Sequence, residues 1–145
     1  MLHIIKSLTD PLIEYIKDDP VRPEIPAEWR VTSSREVFVL LGENKQPTAI
    51  VCVAYCKEVP DSVATLYQDV GVDPNIAVFY TIWSYTHGAG RDLITKSRQY
   101  LGDEYSHINR YITLSPTTEM ARQFHIKNGA SVFRTNTNTV NYQYG

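Results

Sequence analysis

The 145-residue sequence has little of several features, and each shortage excludes a class of protein. It has no apolar run long enough for a membrane span or a signal peptide, and charges and prolines interrupt its first twenty residues, MLHIIKSLTDPLIEYIKDDP. It carries 14 lysines and arginines against 16 aspartates and glutamates, so it lacks the basic excess of nucleic-acid-binding proteins. We therefore expect no membrane partner, no nucleic-acid partner and a cytoplasmic location.

Cysteine is scarce as well, since Cys52 and Cys56 in the strand-like stretch AIVCVAYC are the only two. Four residues of strand separate two backbones by roughly 13 Å, whereas a disulfide spans about 7 Å at most. We expect two free, buried thiols, which fits a reducing compartment. No two histidines or cysteines have metal-ligand spacing, so no metal is expected.

The apolar content, 43% of residues, is that of a globular protein, and the length suits one domain over residues 1–145. Residues 1–26 are predicted to form an N-terminal helix (1–19), broken near Pro11, and a proline-rich connector. The next elements, in order, are a hairpin of strands 35–42 and 48–56, a helix or strand at 62–71, a strand at 75–85, a helix at 93–105, a strand at 108–114, a helix at 116–127 and a final strand pair in ASVFRT and TVNYQY. This order predicts an α/β domain with a mixed sheet.

A glycine-containing loop, THGAGRD, lies between the strand at 75–85 and the helix that follows. Glycines let a backbone approach a phosphate closely, and the first N–H groups of a helix point outward with positive polarity. The candidate phosphate-binding residues are Gly88, Ala89, Gly90, Arg91 and Asp92, with further positive charge on Lys96 and Arg98. A plain turn is the alternative, because the loop matches neither a Walker loop nor a dinucleotide fingerprint.

A second stretch, YITLSPTTEMARQFHIKNGA, places a serine and a histidine ten residues apart. Ser115 has the position of a helix N-cap before Pro116, and Gly129 follows the expected helix end. His125 shares a helix face with Phe124 and would also fit a packed core. On one continuous helix, ten residues place two backbones about 15 Å apart, so a directly bonded serine–histidine nucleophile is not expected.

The order strand, Gly-x-Gly loop, helix, strand and helix ending in NGA resembles the Gcn5-related N-acetyltransferase (GNAT) fold. In that family the loop holds the pyrophosphate of acetyl-coenzyme A, and the resemblance implies the same role for Gly88 to Asp92. Tyr85 stands where the family motif has glutamine or arginine. ARQFHIKNGA follows the family's last-helix pattern, with His125 in the position of a tyrosine that protonates the departing thiolate.

A more specific resemblance is to the C-terminal catalytic half of malonyl-CoA decarboxylase, which has the same fold. It spans about residues 35–144 and rests on the stretches AVFYTI, TLSP, FHIKNGA, FRTN and VNYQY. In that family a serine and a histidine form the catalytic pair, which implies Ser115 and His125 here. The family's N-terminal helical domain, and the long insertion between its serine and histidine, have no counterpart in this sequence.

These resemblances imply an enzyme that binds coenzyme A or an acyl-CoA as a small-molecule substrate, with malonyl-CoA decarboxylation as its first expected activity. His125 would donate a proton or bind the thioester, and Ser115 would bind the malonyl carboxylate or the thioester. A small N-acetyltransferase acting on an amine is the alternative, although Glu104 and Glu119 have ordinary helix-surface positions and no base stands out. A non-catalytic coenzyme A-binding module is the third possibility. The oligomeric state is not predicted.

Overall fold

The computed structural model describes all 145 residues of the chain. A mixed eight-stranded sheet forms its centre, and helices cover both faces of the sheet. The strands are β1 (Leu2–Ile5), β2 (Arg35–Leu41), β3 (Pro47–Cys56), β4 (Ile76–Ser84), β5 (Arg110–Thr113), β6 (Ser115–Pro116), β7 (Ala130–Thr135) and β8 (Thr139–Tyr144). The α-helices are α1 (Ala27–Arg30), α2 (Val63–Gln68), α3 (Ala89–Glu104) and α4 (Glu119–Lys127), and two 3-10 helices span Pro11–Asp18 and Glu43–Lys45. None of these helices combines the length and the apolarity needed to cross a bilayer.

The strands lie side by side in the order β1, β2, β3, β4, β5 and β8. Strand β6 continues the line of β5 along one edge of β8, and β7 pairs with the opposite edge. All neighbours are antiparallel except β4 and β5, which are parallel. A parallel pair needs a crossover connection, and α3 supplies it. The predicted α/β architecture with a mixed sheet is confirmed.

Strand β3 is buried on both of its faces, as its unbroken apolar pattern predicts. Ile50 and Cys52 belong to the cluster that packs under the N-terminal segment and α2, whereas Val51 and Val53 belong to the cluster under α3. Cys52 and Cys56 are free and buried, as predicted. Burial raises the pKa of Cys52 to about 11 and that of Cys56 to about 12, so both remain protonated thiols at neutral pH.

The predicted N-terminal helix is wrong for its first residues. Residues Leu2–Ile5 form β1, which pairs antiparallel with β2 and completes the edge of the sheet. Only Pro11–Asp18 is helical, as a 3-10 helix that begins where the Leu12 N–H donates to Asp10 Oδ1 at 2.9 Å. The free edge of β2 therefore outweighed the helical spacing of apolar residues in the N-terminal segment.

The predicted start of the last helix is also wrong. Ser115 and Pro116 form β6 and pair with β8, so Ser115 is not a helix cap. Helix α4 begins at Glu119, and its N-cap is Thr118, whose Oγ1 accepts from the Ala121 N–H at 3.2 Å. Pairing with β8 draws Ser115 and Pro116 into the sheet, so the helix begins three residues later than predicted and is capped by Thr118.

Candidate active site

A cleft opens where β4 and β5 separate. The two strands pair from Ile76 to Phe79, and their last bond joins Leu114 N–H to the Phe79 carbonyl at 3.0 Å. On the other side of β4, a register shift between Cys52 and Val53 leaves Tyr80 without a partner on β3. Such a bulge bends its strand. Beyond Tyr80, β4 continues alone on this side, because β6 pairs with β8 instead.

The cleft encloses a cavity of about 360 Å³, within the size range of small-molecule sites. Its wall is mainly apolar and includes Val21, Phe79, Ile82, Leu114 and Phe124. The polar side chains in the wall are Tyr80, Thr81, Ser84, Ser115, Thr118 and His125. No aspartate, glutamate, lysine or arginine lines the cavity, so any charged group of a ligand would meet hydrogen-bonding groups rather than an ion pair.

His125 lies in the last part of α4, 3% exposed, with its ring stacked on Tyr142 at 5.2 Å between centroids. Its Nδ1 is 2.7 Å from the hydroxyl oxygen of Tyr144. Nε2 has no hydrogen-bond partner in the protein and is not sealed from solvent, which leaves it available to a ligand in the cavity. Burial lowers the pKa of His125 to about 4, so the imidazole is neutral at neutral pH.

Tyr144 belongs to this site although the sequence analysis did not single it out. Burial raises the pKa of Tyr144, so its hydroxyl stays protonated and can donate to Nδ1 of His125. The available signal was the alternation in TVNYQY: Tyr142 and Tyr144 point to the same face, toward α3 and α4.

Ser115 lines the same cavity and is 3% exposed. Its hydroxyl donates to Thr113 Oγ1 at 2.7 Å, and Thr113 Oγ1 also accepts from the Tyr142 N–H at 3.0 Å. No hydrogen bond joins Ser115 to His125. The two residues can therefore contact one ligand from different sides, but the serine has no adjacent base that would make it a nucleophile.

The glycine loop lies beside this cavity. Gly88 has a left-handed backbone (φ +82°) and is the N-cap of α3, and the N–H groups of Gly90 and Arg91 donate to no acceptor in the protein. Gly90 lines the cavity, and a Cβ at this position would lie 2.9 Å from the Phe124 ring. A side chain at position 90 would therefore force the Phe124 ring of α4 to move.

The remaining side chains near the loop differ in their suitability for a phosphate. Arg91 is exposed, but its Nε already lies 3.8 Å from the Asp92 carboxylate in a surface ion pair. The negative charge of Asp92 would repel a phosphate, so Arg91 would have to leave this pair to bind one. Arg98 does not add charge there, because its guanidinium lies over the rings of Tyr111 and Tyr144 at 5.3 and 5.4 Å. The phosphate-binding role of Gly88 to Asp92 stays a prediction.

Tyr85 precedes the loop, at the position where the GNAT motif has glutamine or arginine. Its hydroxyl accepts from Trp83 Nε1 at 3.0 Å and donates to Asp18 Oδ2 at 2.8 Å. The side chain is thus tied to the N-terminal segment. No group of three histidine, cysteine, aspartate or glutamate side chains forms a metal-binding arrangement in the chain.

Several solved structures have a fold similar to that of this chain. The sequence matches no protein-family model and no curated protein at a significant level. Malonyl-CoA decarboxylase from Agrobacterium vitis is similar over 86% of this chain and 35% of its own, with 25% identity and a TM-score of 0.70. Malonyl-CoA decarboxylase from Rhodopseudomonas palustris is similar over 100% of this chain and 59% of its own, with 19% identity and a TM-score of 0.77.

A third similar structure is the PaiA N-acetyltransferase from Thermoplasma acidophilum in complex with coenzyme A. It matches over 99% of this chain and 98% of its own, with 12% identity and a TM-score of 0.62. The chain therefore spans only 35% and 59% of the two decarboxylases but nearly the whole acetyltransferase. The chain has the GNAT fold, and the resemblance predicted from the sequence is confirmed.

Proposed function

We propose that the protein binds an acyl-coenzyme A in the cleft between β4 and β6 and decarboxylates a malonyl thioester there. The observation that carries this proposal is His125: a neutral imidazole, held by Tyr144, with Nε2 free at an apolar cavity. Decarboxylation breaks the bond between the carboxylate carbon and C2, and its electron pair moves onto the thioester oxygen. Carbon dioxide leaves, and C2 of the resulting enolate then takes a proton from solvent water, which leaves hydroxide to be neutralised by the buffer.

The reaction needs a hydrogen-bond donor where the enolate oxygen develops. If the Tyr144 hydroxyl donates to Nδ1, the single ring proton of His125 resides on Nε2 and points to the ligand. A neutral imidazole kept neutral by a depressed pKa is an established donor to developing oxyanions. His125 would therefore act as a hydrogen-bond donor to the thioester oxygen, and not as an imidazolium acid.

The wall of the cleft also favours loss of carbon dioxide. A carboxylate that loses its charge as neutral carbon dioxide is less stable beside apolar groups than in water. No cationic side chain lines the cavity, and the guanidinium of Arg22, at its edge, is bonded to the backbone carbonyls of Tyr80 and Leu114. The Ser115 hydroxyl can rotate away from Thr113 and donate to the carboxylate or the thioester. The free N–H groups of Gly90 and Arg91 would receive the pyrophosphate of coenzyme A.

Acetyl transfer to an amine is the second candidate, favoured by the match to nearly the whole length of the PaiA acetyltransferase. That reaction needs a base to deprotonate the amine. Glu104 and Glu119 are exposed on helix surfaces and do not line the cavity. His125, with a pKa of about 4, is a weak base for an ammonium group. The cleft thus supports decarboxylation better than transfer.

The test incubates the purified protein with malonyl-CoA, or with acetyl-CoA and a panel of amines, and separates the products by liquid chromatography. Decarboxylation converts malonyl-CoA to acetyl-CoA without free coenzyme A, whereas transfer releases coenzyme A from acetyl-CoA. Loss of an oxyanion donor typically lowers kcat by about 10²–10³. We expect that loss for His125→Ala and none for His107→Ala, an exposed histidine outside the cleft. Binding by calorimetry without any turnover would indicate a non-catalytic module.

A further inference from the structure

The side chain of Arg22 bridges the two strands at the point where they separate. Its Nε donates to the Tyr80 carbonyl at 3.1 Å, and its Nη2 donates to the Leu114 carbonyl at 3.0 Å. Tyr80 is the bulge residue of β4, and Leu114 carries the last bond between β4 and the β5 line. Both residues line the cavity. The guanidinium therefore lies at the point where the backbone hydrogen bonds between β4 and the β5 line end.

A guanidinium in this place sets the distance between the strands. Paired strands lie roughly 4.8 Å apart, joined directly by N–H to carbonyl bonds. Two carbonyls that accept from one rigid, planar fork must leave room for the fork between them. The guanidinium of Arg22 fills the space beside both carbonyl oxygens, where an amide of the opposite strand would have to approach.

The backbone of Arg22 is itself fixed on both sides. Asp19 Oδ1 accepts from the Arg22 N–H at 2.9 Å, and Arg30 Nη2 donates to the Arg22 carbonyl at 2.9 Å. Asp19 and Arg30 form a buried ion pair at 2.7 Å, and Thr81 Oγ1 donates to Asp19 Oδ1 at 2.9 Å, which ties the pair to β4. Buried ion pairs add little net stability compared with apolar packing. The Asp19–Arg30 pair instead fixes the backbone position of Arg22, and with it the point from which the Arg22 side chain extends.

We propose that Arg22 is a positioning residue that holds the cleft between β4 and β6 open for the thioester arm of the ligand. The identity of the ligand rests on the proposed function, whereas the spacing of the strands is a property of the free protein. A cleft that is already open binds more tightly than one whose strands the ligand must first separate. Arg22 thus acts on affinity through the strands and need not contact the reacting atoms.

The test replaces Arg22 with methionine, which keeps an apolar stem but cannot donate to the carbonyls. We expect malonyl-CoA to bind about tenfold more weakly by calorimetry, as loss of two hydrogen bonds allows, with kcat changed by less than about threefold. Amides of residues 80–84 should exchange more slowly in the free variant, because the strands close. Methylguanidinium at millimolar concentration should restore affinity to Arg22→Ala, and ammonium at the same ionic strength should not.

Arg35→Met is the matched control. Arg35 is also a partly buried arginine that donates to backbone carbonyls, those of Ser33 and Asp69, but it lies away from the cleft. Its loss should lower the thermal midpoint without changing the affinity for malonyl-CoA. If Arg22→Met does not fold, Arg22→Lys takes its place, with one carbonyl bonded and an intermediate affinity expected.

The outcomes separate the two proposals. If the wild type binds malonyl-CoA and the Arg22 variant binds it equally well, the positioning role is overturned and the proposed function stands. If the wild type binds no acyl-CoA, the proposed function fails, and amide exchange alone decides whether Arg22 spaces the strands. Unchanged or faster exchange at residues 80–84 would mean that Arg22 does not hold the strands apart.

Discussion

The neutral state of His125 has a consequence for stability that can be measured without any ligand. The unfolded chain has an ordinary histidine pKa of 6.5, and burial lowers the pKa of His125 in the folded protein to about 4. Between these values the unfolded state binds more protons than the folded state, so the free energy of unfolding falls as the pH falls. Above pH 6.5 and below pH 4 this contribution is constant.

The magnitude follows from the displacement of the pKa. One pKa unit corresponds to 1.36 kcal/mol. The loss due to His125 should therefore reach about 2 kcal/mol at pH 5 and about 3 kcal/mol at pH 4, relative to neutral pH. The ring is 3% exposed, so solvent screening reduces this value little.

The assay is urea unfolding between pH 7.5 and pH 4 for the wild type and for His125→Asn, whose amide does not titrate and can still accept from Tyr144. The carboxylates and the other three histidines are present in both proteins, so their titration cancels in the difference. The difference in unfolding free energy should change by about 3 kcal/mol between pH 6.5 and pH 4. A flat difference would show that the fold accepts an imidazolium at position 125, and the hydrogen-bond donor role would lose its basis.

Under the proposed function, the same protonation would govern activity. With a neutral donor, kcat/KM for malonyl-CoA should be level through pH 6.5 and fall only as the pH approaches 4, where His125 gains its second proton. An imidazolium acid would give the opposite trend, with activity rising as the pH falls toward 4.

Two further predictions concern the core and the glycine loop. Cys52 and Cys56 should give no reaction with a thiol reagent in the native protein and two equivalents after unfolding, since both are buried and protonated; a disulfide would contradict the strand geometry. Gly90→Ala should weaken coenzyme A binding, because its Cβ would push the Phe124 ring into the cavity at a cost of about 1–3 kcal/mol. Gly102→Ala is the matched control, because Gly102 lies in the same helix, outside the cavity, and its Cβ would meet only the Tyr111 hydroxyl at 3.9 Å; equal binding by both variants would exclude this clash.

Much of the fold could be predicted from the sequence, because local pattern and final packing agree there. Strand β3 is apolar at every inward position of both faces, and Gly129, with φ +103°, follows α4 as a helix-terminating glycine should. The predictions of secondary structure were wrong where the local sequence suited two kinds of structure equally well. The N-terminal residues suit a strand or a helix, and Ser115 suits a helix cap or the end of a strand, so only the sheet partner decides.

The features of the site that the sequence did not reveal depend on contacts between distant residues. Tyr144 meets His125 because β8 returns beside α4, and Arg22 reaches Leu114 across 92 positions of sequence. Many proteins have a tyrosine in an alternating strand or an arginine in a proline-rich connector, and the local sequence does not distinguish those that belong to a site from those that do not. Their roles follow from the topology of the sheet, which no local pattern records.

The placement of Ser115 and His125 also answers the question that their short separation raises. Were both on one helix, ten residues would keep them about 15 Å apart. Instead Ser115 lies in β6, the chain turns before Thr118, and α4 carries His125 back along the same cavity. The strand and the helix thus form two walls of one cleft, and no insertion between them is needed to bring both side chains to it. The short connection does not bring the two side chains into contact with each other. Ser115 bonds Thr113, and His125 bonds Tyr144. Any joint action of the pair must therefore run through a ligand that touches both. Under the proposed function that ligand is a malonyl thioester, which has a carboxylate at one end and a carbonyl at the other.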